Sequence, residues 1–92
     1  MKFTVINRYS ETNMPDKHGR WARIVYANDL QIAWISKVWI ETKFFYSIND
    51  YFPSLHTDMP CYSIVIDKDL EEVIEDVKKR FNAFISNVIY NE

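Results

Sequence analysis

Apolar and polar positions alternate with a period of two from Phe3 to Tyr9 and again from Arg20 to Ala27, the spacing of half-buried strands. Asn28-Asp29 comes next. Both residues tolerate positive φ, so a hairpin turn is expected there. Leu30 to Glu41 (LQIAWISKVWIE) is dense in β-branched and aromatic residues and reads as a third strand. The (i, i+4) pairs Trp34/Val38 and Ile35/Trp39 keep a helix open as the alternative. Lys43 to Ile48 and Cys61 to Ile66 are shorter strand-like segments. From Leu70 to Tyr90 the period changes. Leu70, Val73, Ile74, Val77, Phe81, Phe84, Ile85 and Val88 recur in steps of three and four, tracing one helical face. Asp67 or Asp69 can cap this helix, and Asp69-x-x-Glu72 approximates a capping box. Acidic Glu71, Glu72, Glu75 and Asp76 precede basic Lys78, Lys79 and Arg80. That order suits the helix dipole and offers Glu75–Lys79 and Asp76–Arg80 as (i, i+4) pairs on a solvated surface. The order β-β-β-β-β-α predicts an α+β fold: an antiparallel sheet of four to five strands with one long C-terminal helix packed on one face.

Strand parity divides the sheet residues into two sets. The less charged set is expected under the helix: Phe3 and Val5; Ala22, Ile24 and Tyr26; Leu30, Ile32, Trp34, Val38 and Ile40; Phe44, Tyr46 and Ile48; Tyr62, Ile64 and Ile66. The other set holds Thr4, Ile6 and Arg8; Trp21, Arg23 and Val25; Ala33, Ile35, Lys37, Trp39 and Glu41; Lys43 and Phe45; Ser63 and Val65. A solvated outer face normally reads polar. This one keeps aromatic and branched residues among Arg and Lys. A single helix covers one face only. The second face is therefore open to a partner, or the long loops fold back over it within the monomer.

Composition narrows the picture by exclusion. The chain has 92 residues, 48% apolar and 26% charged, with a formal net charge of −2. That size fits a single domain, residues 1–92. Gly19 is the only glycine, so neither a P-loop nor a Rossmann fingerprint can be built. Cys61 is the only cysteine, which excludes an internal disulfide and any zinc site with two or more Cys. No secretory signal pattern and no run of membrane-spanning length is legible. A cytoplasmic protein is expected, in the host cytoplasm if the gene is viral. Charge is uneven. Residues 1–43 carry seven Lys/Arg and four Asp/Glu, a balance of +3, and residues 44–92 carry four and nine, a balance of −5. Such a dipole steers encounters with charged partners.

Chemical motifs are sparse. His56, Asp58 and Cys61 lie close in sequence, but a thiolate nucleophile needs a base within hydrogen-bond reach, and this spacing does not guarantee one. Asp16, His18 and His56 form a metal set only if two loops converge. Neither is taken as a site: no catalytic residue, no metal and no cofactor is assigned, and the chain is not expected to be an enzyme.

The reading that remains is a non-enzymatic protein-binding module acting by occlusion, anchored by aromatic and Arg side chains of the kind found at interface hot spots. The partner-binding candidates are Trp21, Arg23, Lys37, Trp39, Lys43 and Phe45, with Tyr51 and Phe52 from the following loop. In size and composition the chain is similar to small phage-encoded inhibitors, anti-CRISPR proteins among them, and to toxin-immunity proteins. That likeness implies a compact domain that covers a target's surface, and it assigns no residues. Two alternatives use the same face. Aromatics interleaved with Arg and Lys on an open sheet suit single-stranded nucleic acid, although a pI near 5.6 argues against a basic footprint. A homodimer sealed through that face is the other. No membrane partner is expected.

Overall fold

The computed structural model describes residues 1–52 and 63–90. Five strands run in chain order across one antiparallel sheet: β1 (Phe3–Arg8), β2 (Ala22–Ala27), β3 (Leu30–Ile40), β4 (Lys43–Asp50) and β5 (Ser63–Ile66), followed by α1 (Leu70–Tyr90). The α+β architecture is the one the hydrophobic periods predict, and Leu30–Ile40 is a strand. Neighbouring strands are joined by short connections wherever turn chemistry allows. Asn28, at φ 53°, turns β2 into β3. Its Oδ1 accepts from the Lys2 amide at 3.0 Å, and its own amide donates to the Lys2 carbonyl at 2.7 Å. The turn is thereby tied to the start of β1.

The face assignment needs correction on two strands. Val25 pairs with Ala33, but Tyr26 pairs with Gln31. Ile32 is therefore an extra residue, a β-bulge on β3. Ile32 and Ala33 both enter the core, and parity reverses beyond that point. Ala33, Ile35 and Lys37 stand on the helix side, while Trp34, Val38 and Ile40 stand on the opposite side. β2 follows its partner: Arg23, Val25 and Ala27 lie on the helix side, not Ala22, Ile24 and Tyr26. Lower charge was the wrong criterion for β2, because the Arg23 charge is satisfied locally, as described below. β1 and β4 keep the expected parity, with Phe3, Val5, Tyr46 and Ile48 packed in or against the core.

The helix buries Val73, Val77 and Phe81 on this sheet face. Under it lie the small side chains of Val25, Ala27 and Ala33, which leave room for close approach. Aromatic edges fill the far end. Phe81 meets Phe3 at 6.3 Å and Phe52 at 5.3 Å between centroids, both near perpendicular, the favoured geometry for such pairs. Asp69 stands just before the helix, its carbonyl accepting from the Val73 amide at 3.0 Å, and Glu71 and Glu72 occupy the first turn. On the helix surface Asp76 meets Lys68 at 2.9 Å and Glu75 meets Lys78 at 3.1 Å.

Arg80 reaches inward instead. Its Nε donates to Asp50 Oδ2 at 2.7 Å and its terminal nitrogen to Oδ1 at 3.1 Å. Asp50, at the end of β4, is 0% exposed. Burial pushes its carboxyl above the ordinary value, and the Arg80 hydrogen bonds and charge work against that rise. A two-pronged pair in this setting fixes where the helix sits on the sheet. Removing one partner strands a buried charge, so Arg80→Ala is expected to lower stability by about 3–5 kcal/mol near neutral pH. The penalty has a pH signature. The folded state holds a proton on Asp50 at a pH where the unfolded chain has released it. Asp50 therefore favours folding more as pH falls through its raised pKa toward 3.8. Denaturant titrations of Arg80→Ala against the parent should show the loss shrinking as Asp50 becomes protonated. A loss that is independent of pH would show that the stranded carboxylate is not its cause.

Candidate interaction surface

β3 and β4 outrun their neighbours. β2 pairs with β3 only as far as Ser36, and β5 pairs with β4 only from Tyr46 onward. On β3, residues 37–40 thus have β4 alone as a partner, from Lys37↔Tyr46 to Ile40↔Lys43. Four residues of strand rise by about 13 Å, so the hairpin projects as an arm. A lone two-stranded ribbon is marginal in water, and three contacts brace this one. Trp39 and Phe44 stack edge to face at 4.7 Å. Lys43 Nζ bridges to Asp67 at 2.5 Å. Lys37 Nζ donates to the Asn13 carbonyl and lies 5.0–5.6 Å from the rings of Trp21, Phe44 and Tyr46. At the tip Glu41 holds φ 57°, a left-handed backbone that a residue with a Cβ adopts at a cost of about 1 kcal/mol.

The arm carries apolar groups on both sides. Trp39, 58% exposed, and Phe44 share the helix side but lie beyond the helix. Val38, Ile40 and Phe45 occupy the other side, continuous with Trp34, Ile24 and Ile6 on the sheet. Ile6, Ile40 and Val65 are exposed on that open face. Nearer its centre Ala22 and Ile24 are buried, 0% and 5% exposed.

The helix side has a second cover. Ser10 to Gly19 folds into a self-bonded loop. Ser10 Oγ donates to the Met14 carbonyl at 2.5 Å. Asp16 Oδ1 accepts from the His18 and Arg20 amides at 2.9 and 2.8 Å, and the Arg20 amide contact holds its carboxyl below the ordinary value, with burial opposing. Gly19 closes the turn at φ 75°, which a side chain would strain. Arg23 locks this loop over the sheet. Its guanidinium donates to the carbonyls of Ser10 and Ala22 at 2.8 Å and of Thr12 at 2.7 Å, and it stacks 4.2 Å from the centroid of Trp21. Trp21 Nε1 donates to the same Thr12 carbonyl at 3.0 Å. Desolvation lowers the pKa of both Arg23 and Lys37, with the Arg23 charge adding to the effect on Lys37. Burial raises the Tyr46 phenol.

No protein-family model, curated protein or solved structure matches the chain.

The eight candidate residues therefore separate. Lys37, Trp39, Lys43 and Phe45 come together on the arm. Trp21 and Arg23 are buried under the Ser10–Gly19 loop, 3% and 5% exposed, and Phe52 is a core residue. Tyr51 is exposed, with its amide donating to the Ile32 carbonyl at 2.8 Å. Arg8, Tyr9 and Trp34 were not singled out by sequence, because parity sent Trp34 to the other face and Tyr9 to neither. Asp50 carried no local signal, and Arg80, expected to pair with Asp76 on the helix surface, reaches Asp50 instead while Asp76 meets Lys68. His56, Asp58 and Cys61 lie outside the described residues. Among the described residues no group of three or more His, Cys, Asp or Glu is placed to hold a metal ion. No helix among them is long and apolar enough to cross a membrane.

Two measurements check the arm. Acrylamide should quench Trp39 fluorescence readily and Trp21 weakly, so Trp39→Phe should remove most of the quenchable signal. If the quenchable fraction persists in Trp39→Phe, the tryptophan is not presented as described. Glu41→Gly should relieve the left-handed strain and leave stability equal or raised by up to about 1 kcal/mol. A clear loss in denaturant melts would contradict that backbone.

Proposed function

We propose that the protein is a non-enzymatic binding module that occludes a surface of a partner protein through the β3–β4 arm and the open sheet face beside it. The observation that carries this reading is the arm itself. It extends the sheet past both the helix and the Ser10–Gly19 loop, and it holds Trp39, Phe44, Phe45 and Ile40 where they stabilise no core. Large apolar groups kept at a projecting tip are the usual mark of an interaction site. Tryptophan and its neighbours supply anchor area at low entropic cost, because few torsions must be fixed. The cross-strand Trp39–Phe44 pair prearranges that area before binding. The strained tip at Glu41 fits the same reading, since a hairpin selected for stability alone favours Asn or Gly there.

The test compares the parent with a Trp39→Ala/Phe45→Ala variant, each immobilised and exposed to native lysate with and without nuclease. The expected result is a protein retained by the parent in both arms and lost by the variant, whose melting temperature stays close to the parent's. Central anchors of this type are worth about 2 kcal/mol or more, so retention should fall at least tenfold. Equal retention by the two would overturn the assignment. Retention only without nuclease would point to nucleic acid, and a dilution-resistant dimer in light scattering to self-association through the face.

A further inference from the structure

On the open sheet face, at the end of β1, four side chains form a stack that the arm does not include. Tyr9 follows β1 with φ 71°, a left-handed backbone that is strained for an aromatic residue. In a regular strand Tyr9 would point opposite to Arg8. The turn of the backbone brings both to one side. The Tyr9 ring lies 6.5 Å from that of Trp34. The Arg8 guanidinium lies 5.3 Å from the Tyr9 centroid and 5.7 Å from that of Trp34, and Arg20 lies 5.0 Å from Tyr9. Two cations thus share one ring. Arg20 has a carboxylate partner in Asp16, at 3.4 Å. Arg8 has no carboxylate within ion-pair distance among the described residues, although it is exposed on the open face.

We propose that Arg8, held within cation–π distance of Tyr9 and Trp34, is the seat for an Asp or Glu side chain of the partner protein, with apolar neighbours of that acid settling on Trp34 and Ile6. This rests on the protein-binding reading above and names the chemistry of the partner. The two rings restrain the guanidinium without supplying an acceptor carboxylate, and its N–H fork can take one with two hydrogen bonds. Pre-stacking also removes much of the rotamer freedom an arginine otherwise loses on binding. A neighbouring Arg20 adds positive potential without competing for the acid, being paired already. A nucleic-acid strand is disfavoured at this point. The stack leaves less ring surface for a base, and α1 carries Glu71, Glu72, Glu75 and Asp76 against an extended polyanion.

The experiment is an NMR titration of isotope-labelled full-length protein, reading the Arg8 Nε–H and the Trp34 indole N–H. Three probes are added at low ionic strength: a short peptide alternating Leu and Glu, the same peptide with Gln for Glu, and a short oligothymidylate. The expected result is saturable shifts of both signals with the Glu peptide and at least tenfold weaker binding of the Gln peptide. Arg8→Lys keeps the charge but loses the planar fork, and should weaken the Glu peptide by a similar factor with an unchanged melting temperature. Equal binding of the two peptides, no shift at Arg8, or tighter binding of the oligothymidylate would overturn the proposal. In the lysate experiment, Arg8→Lys retaining the partner as fully as the parent would defeat this seat while leaving the arm reading intact.

Discussion

Ile32 is one residue more on β3 than β2 can pair with, and the rest of the molecule is arranged around that excess. A strand alternates its side chains strictly, so a single insertion exchanges the two faces for everything beyond it. Here the exchange sets Ala33 and Ile35 beside Val25 of β2 under the helix and sends Trp34, Val38 and Ile40 to the other side. It also carries Lys37 to the helix side, beside Arg23 of β2, where loop carbonyls and aromatic rings receive both cations. The Ser10–Gly19 loop answers that need. Its carbonyls at Ser10, Thr12 and Asn13 take up the two cations, so a loop with no apolar run of its own is held by electrostatics.

The Asp50–Arg80 pair does the corresponding work for the helix. Apolar contacts between Val73, Val77 and the sheet are non-directional and would tolerate some sliding of α1. A carboxylate fully enclosed at the end of β4 tolerates little, because two hydrogen bonds of fixed geometry must be met. The helix is thereby held over the lower part of the sheet, beside Ala27 and Phe52, and the β3–β4 arm is left beyond its reach. Exposure of the arm is thus a consequence of where one ion pair anchors the helix.

The surfaces proposed for binding lie where these constraints end. The arm offers aromatic area at Trp39, 58% exposed, and the Arg8–Tyr9–Trp34 cluster offers a cation with no carboxylate partner among the described residues. Both lie on or beside the open face, and both include a residue in left-handed backbone, Glu41 and Tyr9. Strain of that kind persists only where the surroundings hold it, and it collects at sites used for recognition.

The sequence by itself determined the element types and their order. The change from period two to period 3.6 at Leu70, the Asn28 turn and the β-branched richness of Leu30–Ile40 each act within a few residues, and local sterics decide them. Phe3, Val5, Tyr46, Ile48 and the helical stripe at Val73, Val77 and Phe81 were legible as core for the same reason. Four of the eight candidate residues lie on the β3–β4 arm, but on opposite sides of it, Lys37 and Trp39 on the helix side and Lys43 and Phe45 on the other. What only the tertiary structure decided was the face of β2 and of β3 past Ala33, the burial of Trp21, Arg23 and Phe52, and the pairing of Asp50 with Arg80. A bulge is not a property of one strand: it arises from the register two strands adopt together. A charged residue's place is likewise set by whichever partner the fold brings to it. For Arg23 that partner is a loop more than ten residues earlier in the chain, and for Asp50 it is a helix thirty residues later.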